Sequence, residues 1–173
     1  RVKLSNLIGI FILLFLTLLP GDSFADNPMM FKTNIAAPLK VNADKMYLDK
    51  ISLNGGFSGS VYITQGPLNL KSDQMSFTFS NEKDAPLITE LFASQGVVLG
   101  NEDMTASGNN ASYSVINNEI LLEGNVIVNN SLTVMKGEKL HIDLRSGKIN
   151  FLSNEKQNNR IKGELLIDDK NKK

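Results

Sequence analysis

The sequence predicts an all-β protein of repeated antiparallel hairpins, arranged as a β-sandwich, a jelly roll or a solenoid. Three observations lead to this fold class. From Leu39 onward apolar residues alternate with polar ones, a strand–turn–strand phrase recurs, and no long stretch after Ala25 has a helical apolar stripe. Because successive side chains of a strand point to opposite faces, each run has one apolar face and one polar face.

The first 25 residues read as a signal peptide and stand apart from the fold. Arg1 and Lys3 precede an uncharged run over residues 7–19, which is shorter than the roughly 20 residues of a membrane span. Pro20-Gly21 breaks the run, and small residues then flank a cleavage site after Ala25. We therefore expect secretion across the inner membrane into the periplasm with cleavage after Ala25. The alternative is an uncleaved anchor.

Composition excludes several function classes for the mature chain. Removal of residues 1–25 takes away two basic residues and one acidic residue, which leaves a net charge near −1. No basic cluster with interleaved aromatic residues is present, so we expect no nucleic-acid partner. The chain has no cysteine, so disulfides and thiolate metal sites are excluded.

The recurring phrase places Leu48, Phe77, Tyr113 and Ile142 in equivalent slots, separated by 29, 36 and 29 residues. Gly59, Gly96 and Gly124 follow in three copies. A bulge or tight turn explains Gly55-Gly56 and Gly59 best. Repeats of this length cannot close a core alone, so they must stack on one another. We therefore expect the stacked hairpins to form two facing sheets with an apolar interior.

Four segments divide the chain. Residues 1–25 are the signal peptide, 26–37 an N-terminal segment, 38–153 the β domain, and 154–173 a polar tail with a possible last strand over 160–168. Pro86 interrupts the "NEKDAPLITE" stretch, where we expect a loop.

No residue pattern marks a catalytic or metal site. His141 lies between Leu140 and Ile142 and so belongs to a polar strand face, without a nucleophile or metal partner beside it. A hydrolase with paired carboxylates stays open, because pairs form in space. The acidic residues concerned lie scattered at outward positions, as solvated strand faces have them: Asp44, Asp49, Asp73, Glu119, Glu123 and Asp143. We predict no enzyme, no cofactor and no metal.

Three ordered phrases resemble a known family. They are "VNAD" at Val41–Asp44, "GSVYITQG" at Gly59–Gly66, and a hairpin from Gly108 through Val126 with Tyr113 and "LEGNV" inside it. Together, over about residues 38–151, they resemble the LptA/OstA-like family of periplasmic bridge proteins in lipopolysaccharide transport.

The resemblance implies an open antiparallel β-jelly roll without enzymatic activity, with lipid A acyl chains between its sheets. Implied partners are lipopolysaccharide, other copies of the chain joined end to end, and LptC-like inner-membrane and LptD-like outer-membrane proteins of the same fold. A membrane-anchored LptC-like partner is the nearest alternative. Rivals from other classes are a secreted β-solenoid adhesin or glycan-binding module, and a plain sandwich with a closed core.

We expect the two sheets not to seal completely, so that the gap shelters fatty tails. Proline in an end strand, for which Ile142 is the example, is expected to weaken association. Large, flexible apolar side chains at alternate strand positions, which share one face, favour binding of an irregular apolar ligand. The predicted lipid-binding residues, called the predicted liners below, are Met46, Leu48, Val61, Ile63, Met75, Phe77, Phe79, Tyr113, Val115, Ile120, Leu122, Val126, Val128, Leu140 and Ile142.

Overall fold

The computed structural model describes residues 31, 33–81, 87–152 and 160–165. The secondary structure over these ranges is ten strands: β1 Leu39–Asn42, β2 Lys45–Asp49, β3 Asn54–Gln65, β4 Leu68–Phe79, β5 Ile88–Gly100, β6 Met104–Ser114, β7 Glu119–Asn130, β8 Thr133–Asp143, β9 Lys148–Leu152 and β10 Lys162–Leu165. No helix long and apolar enough to cross a membrane occurs in this part of the chain. The predicted signal peptide and the Pro86 loop lie outside the described residues.

All ten strands form one antiparallel sheet in the order β1-β3-β4-β5-β6-β7-β8-β10. β2 also pairs with β3, on the same side as β1, and β9 also pairs with β8, on the same side as β10. One edge therefore consists of β1 and β2, and the other of β9 and β10. The prediction of an all-β, open antiparallel fold is confirmed. Within the range predicted for a last strand, 160–168, the structure describes strand Lys162–Leu165, and residues 166–168 lie outside the described residues.

A line of bulges crosses the sheet at the middle of the long strands. The register shifts between Ser58 and Val61 on β3, and a similar shift occurs in each following strand pair as far as β7 and β8. Bulges bend a strand and increase its twist. We call this line the crease. The residues with positive φ that lie on it are Gly59, Ser60, Gln95, Gly96, Gly124 and Asn125. The bulge predicted at Gly59 is confirmed.

The crease divides the sheet into two faces of a sandwich. Sheet I holds β2, β9 and residues 54–58, 74–79, 88–94, 110–114, 119–123 and 139–143. Sheet II holds β1, β10 and residues 61–65, 68–72, 97–100, 104–108, 126–130 and 133–137. Apolar side chains of both sheets form one core. Antiparallel strands with one buried face thus fold back on themselves.

Two hairpin turns of sheet I share a side-chain cap. Asp49 Oδ2 accepts a hydrogen bond from Ser52 Oγ at 2.9 Å, and Asp143 Oδ2 accepts one from Ser146 Oγ at 2.7 Å. In each turn Oδ1 also accepts from two backbone N–H groups. These bonds lower the pKa of both carboxyls. Two of the acids that the sequence left as scattered surface charges therefore have the same local task, which is to fix a turn.

Candidate functional site

The inner face of the folded sheet is the candidate site. One cross-strand row of sheet I runs through Leu48, Phe77, Tyr113 and Ile142, because Leu48 pairs with Gly55, Gly55 with Phe77, and so on across the strands. These are the four residues that the repeat placed in equivalent slots. Their common row explains the repeat, since each copy contributes one hairpin, and so two neighbouring strands, to the same line of side chains.

The predicted liners all face this interior, with different exposure. Most are buried; Val115 is half-buried against the core, whereas Met46 and Leu48 on β2 are exposed by 61% and 47%. The buried ones are Val61, Ile63, Met75, Phe77, Phe79, Tyr113, Ile120, Leu122, Val126, Val128, Leu140 and Ile142. Contact of these residues with lipid stays a prediction.

The prediction from alternation along the sequence missed part of the inner face. Leu68 and Leu70 on β4 are buried although their parity is opposite to that of Met75, because the crease inserts one residue between them. Met104 and Ala106 on β6 are buried against the parity of Tyr113 for the same reason. The signal that could have found them is the local alternation in "GPLNL" and "MTASG", taken separately from the strand half that follows.

The middle of the interior is nearly filled by protein side chains. The cavity lined by Ile63, Leu70 and Leu99 of sheet II and by Leu91 and Tyr113 of sheet I has a volume of about 20 Å³. That volume holds about one water molecule. The expected unsealed gap is therefore not open here, because the bend at the crease brings the large side chains of both sheets into contact.

The edge at β2 is where the inner face is uncovered. Met46 pairs with Phe57 and Leu48 with Gly55, so both belong to inner-face rows. Phe57 stacks on Phe77 with ring centroids 5.0 Å apart. The apolar surface thus continues from the core to an exposed strand whose outer edge has no partner among the described strands.

A polar bond joins the two sheets inside the core. The Tyr113 Oη donates to Gln65 Oε1 at 3.0 Å. Burial raises the pKa of Tyr113, and the bond to Gln65 opposes that change. The hydroxyl is therefore neutral and fixed in place, with its ring among the apolar side chains.

Phe31 and residues 33–38, which we call the strap, lie against both sheets. Thr33 Oγ1 donates to the carbonyl oxygen of Leu144, just after β8 in sheet I, at 2.6 Å. Gln65 Nε2 in sheet II donates to the carbonyl oxygens of Ile35 and Ala37 at 3.1 and 3.4 Å. Phe31 is buried in the core. No sequence pattern indicates this contact, because a single phenylalanine in a polar segment has no periodicity.

The outer face carries a shallow concavity of about 360 Å³ beside Phe92, with Ser76, Ser112, Glu90 and His141 among its lining residues. The Nε2 of His141 lies 3.7 Å from Glu119 Oε2. Three aromatic side chains on β2, β3 and β5 are exposed: Tyr47, Tyr62 and Phe92, the last by 48%. In the described part of the chain no three His, Cys, Asp or Glu residues cluster as metal ligands.

Comparisons with known proteins agree with this geometry. The crystal structure of LptH, described as the LptA homologous periplasmic component of the conserved lipopolysaccharide transport device from Pseudomonas aeruginosa, matches with a TM-score of 0.66 and 19% identity, over 78% of this chain and 99% of that one. At this identity the match concerns the fold. A comparison with curated protein sequences finds no match. A family model described as "LptA/(LptD N-terminal domain) LPS transport protein" matches residues 40–148. The chain therefore belongs to the LptA/LptD N-terminal domain family of lipopolysaccharide transport proteins.

Proposed function

We propose that the protein is a periplasmic lipopolysaccharide-transport component that holds lipid A acyl chains between sheets I and II. The observation that supports this most directly is the apolar inner face, which runs without interruption from the core to the exposed Met46 and Leu48. Family membership supplies the transport role, and the predicted liners supply the contact surface.

The energetics favour a carrier that does no chemistry. Removing an acyl chain from water stabilises it by roughly 0.8 kcal/mol per methylene, so a chain of about 12 methylenes gains on the order of 10 kcal/mol. Movement through an aqueous space is opposed by that amount, whereas transfer from a bilayer to an apolar groove is close to neutral. The direction of transport then comes from an energy source elsewhere.

Because the interior is nearly filled, uptake requires the sheets to separate. The crease is the natural hinge, since both sheets are continuous through it and positive-φ glycines lie on it. The uncovered inner face at β2 is the proposed entrance.

The two edges are suited to end-to-end assembly of copies. Chain direction along β1 and β2 is from sheet II to sheet I, and along β9 and β10 it is the reverse. A second copy with its β1/β2 edge against β9/β10 would therefore pair antiparallel and keep its crease in line with the first. LptC-like and LptD-like proteins of the same fold are proposed to use the same edges.

Photo-crosslinking tests the lipid site. A photoreactive residue at Phe77 or Tyr113, whose side chains face inward, should label lipopolysaccharide, and one at Ser76, which faces outward on the same strand as Phe77, should not. Labelling from Ser76 with none from the two inner positions would reject the proposed site.

An LptC-like anchored protein is the alternative within the pathway. Mass spectrometry of the protein from the periplasm separates the two, because the soluble component should begin at Asp26.

A second candidate, a glycan-binding module, is favoured by Phe92 in the outer concavity. Comparison of delipidated saccharide with whole lipopolysaccharide separates the two, since a glycan module binds both and an acyl-chain carrier binds only the whole lipid.

A further inference from the structure

We propose that the strap is a latch over the acyl-chain site, and that the Phe31 side chain occupies the place that an acyl chain takes when the latch opens. This inference rests on the proposed function and adds what the lipid displaces in the core. It is carried by the burial of Phe31, by the bonds of the strap to both sheets, and by the small volume left in the core.

The strap is held to sheet I through one side chain. Thr33 Oγ1 donates to the Leu144 carbonyl oxygen at 2.6 Å, across 111 residues of sequence. Leu144 directly follows β8 and is itself buried. The bond therefore fixes the strap at the outer end of sheet I, far from the crease along the strand.

On sheet II the strap is held at the turn between β3 and β4. Gln65 donates to the Ile35 and Ala37 carbonyl oxygens, and Ala37 N–H closes a turn on the Asn34 carbonyl oxygen at 2.9 Å. A Cβ added to Gly66 would lie 2.8 Å from Asn34 Cβ, so the strap lies directly against this turn. Thr33 and Asn34 are adjacent, and the strap thus connects the free ends of both sheets.

Phe31 is the apolar part of the latch. It is 1% exposed and belongs to the same core as the predicted liners. The cavity of about 20 Å³ between Ile63, Leu99 and Tyr113 in that core has no room for an acyl chain. Removal of a large buried side chain opens a dry cavity of roughly 150 Å³, which accepts an apolar guest.

Displacement of the strap breaks no strand pairing among the described residues, and residues 33–38 are half-buried or exposed. The described strap makes hydrogen bonds at its two ends and pairs with no strand of the sheet. Segments with few buried contacts open at lower free energy than the strands of a core. Exchange of Phe31 for an acyl chain replaces one buried apolar group by another, which keeps the core dry.

A reversible staple tests the latch. The chain has no cysteine, so the double variant Asn34→Cys, Gly66→Cys gives one defined pair. Its Cβ atoms need to separate by about 1 Å to reach the usual disulfide spacing of roughly 3.8 Å. Binding of dansyl-undecanoic acid should be about tenfold weaker in the oxidised form than after reduction with dithiothreitol. Equal binding in both forms overturns the latch.

A second variant tests the plug. Phe31→Ala should bind the same probe about tenfold more tightly than the wild type, whereas Phe151→Ala, which removes a half-buried ring at β9, should not. Equal tightening in both variants means that general loosening of the core is responsible and overturns the plug. If the wild type binds the probe, but oxidation of the cysteine pair does not weaken binding and Phe31→Ala does not tighten it, the latch is rejected and the proposed function stands. No binding of the probe or of lipopolysaccharide by the wild type, the reduced pair or Phe31→Ala rejects the proposed function, and the latch with it.

Discussion

Gln65 meets Tyr113 across the interior: its Oε1 accepts the tyrosine hydroxyl at 3.0 Å while its Nε2 donates to the Ile35 carbonyl oxygen. One amide therefore joins sheet I, sheet II and the strap. Such a junction is polar in an otherwise apolar interior, so its geometry fixes how the two sheets lie on each other.

Loss of the Tyr113 hydroxyl should destabilise the fold. In Tyr113→Phe the ring stays and the bond is lost, which costs about 1 kcal/mol of unfolding free energy. Tyr47→Phe is the control, because that side chain is exposed. Urea unfolding of both variants checks this. A Tyr113→Phe midpoint equal to that of the wild type would mean that the bond contributes nothing to stability.

Alanine at Gly55 and alanine at Gly96 should destabilise the fold for different reasons. A Cβ at Gly55 would lie 2.3 Å from Phe77 Cζ and 2.7 Å from the Tyr47 carbonyl oxygen, so Gly55→Ala forces the ring and the backbone apart and costs roughly 1–3 kcal/mol. Gly96 has open space but a φ of +66°, so Gly96→Ala costs about 1 kcal/mol through the left-handed backbone conformation alone. Thermal unfolding should rank Gly55→Ala as the less stable; the reverse order would contradict the close packing on Phe77.

Asp143 should stabilise its turn only when ionised. The Ser146 hydroxyl and the backbone N–H groups lower its pKa in the folded state, so its contribution is present above the unfolded pKa of about 3.9 and is lost as pH falls through the lower folded value. Asp143→Asn should therefore lower the melting temperature at about pH 7 and approach the wild type in strong acid. Asp73→Asn, on an exposed strand position, is the control for net charge. A constant difference across this range would exclude the carboxylate as the cause.

Charge at the β2 edge should weaken association of copies. Leu48→Lys places an ammonium group on the exposed end of the inner face, where a second copy would cover it. Phe92→Lys is the matched control, since Phe92 is exposed by 48% and lies on β5, away from both edges. Sedimentation velocity over a concentration series should show smaller species for Leu48→Lys alone. The same loss in both variants would indicate a nonspecific effect.

Proline at Ile142, suggested by the repeat pattern, is not a test of the edge. Ile142 pairs with Ile120 on β7 and with Ile149 on β9, so its strand lies inside the sheet. The pattern showed where strands recur and could not show that β9 and β10 follow outside β8, because short strands carry little periodic signal.

The alternation of apolar residues was enough to predict the fold class and the inner face of sheet I. It failed at β4 and β6, where one inserted residue exchanges the faces and hides Leu70 and Met104 from a single parity. Insertions of this kind depend on pairing with neighbouring strands, which a local pattern does not contain. The strap was missed because it is held by contacts 28 to 111 residues distant in sequence, such as Ala37 with Gln65 and Thr33 with Leu144.

The repetition of the crease on successive strands has a consequence for the length of such molecules. Each hairpin brings its own bend at the same height, so two further strands could be added or removed without altering the cross-section of the sandwich. The sheet can therefore lengthen in the direction in which strands are added while the cross-section of its apolar interior stays the same. Interiors of different length can then be built from hairpins of one shape.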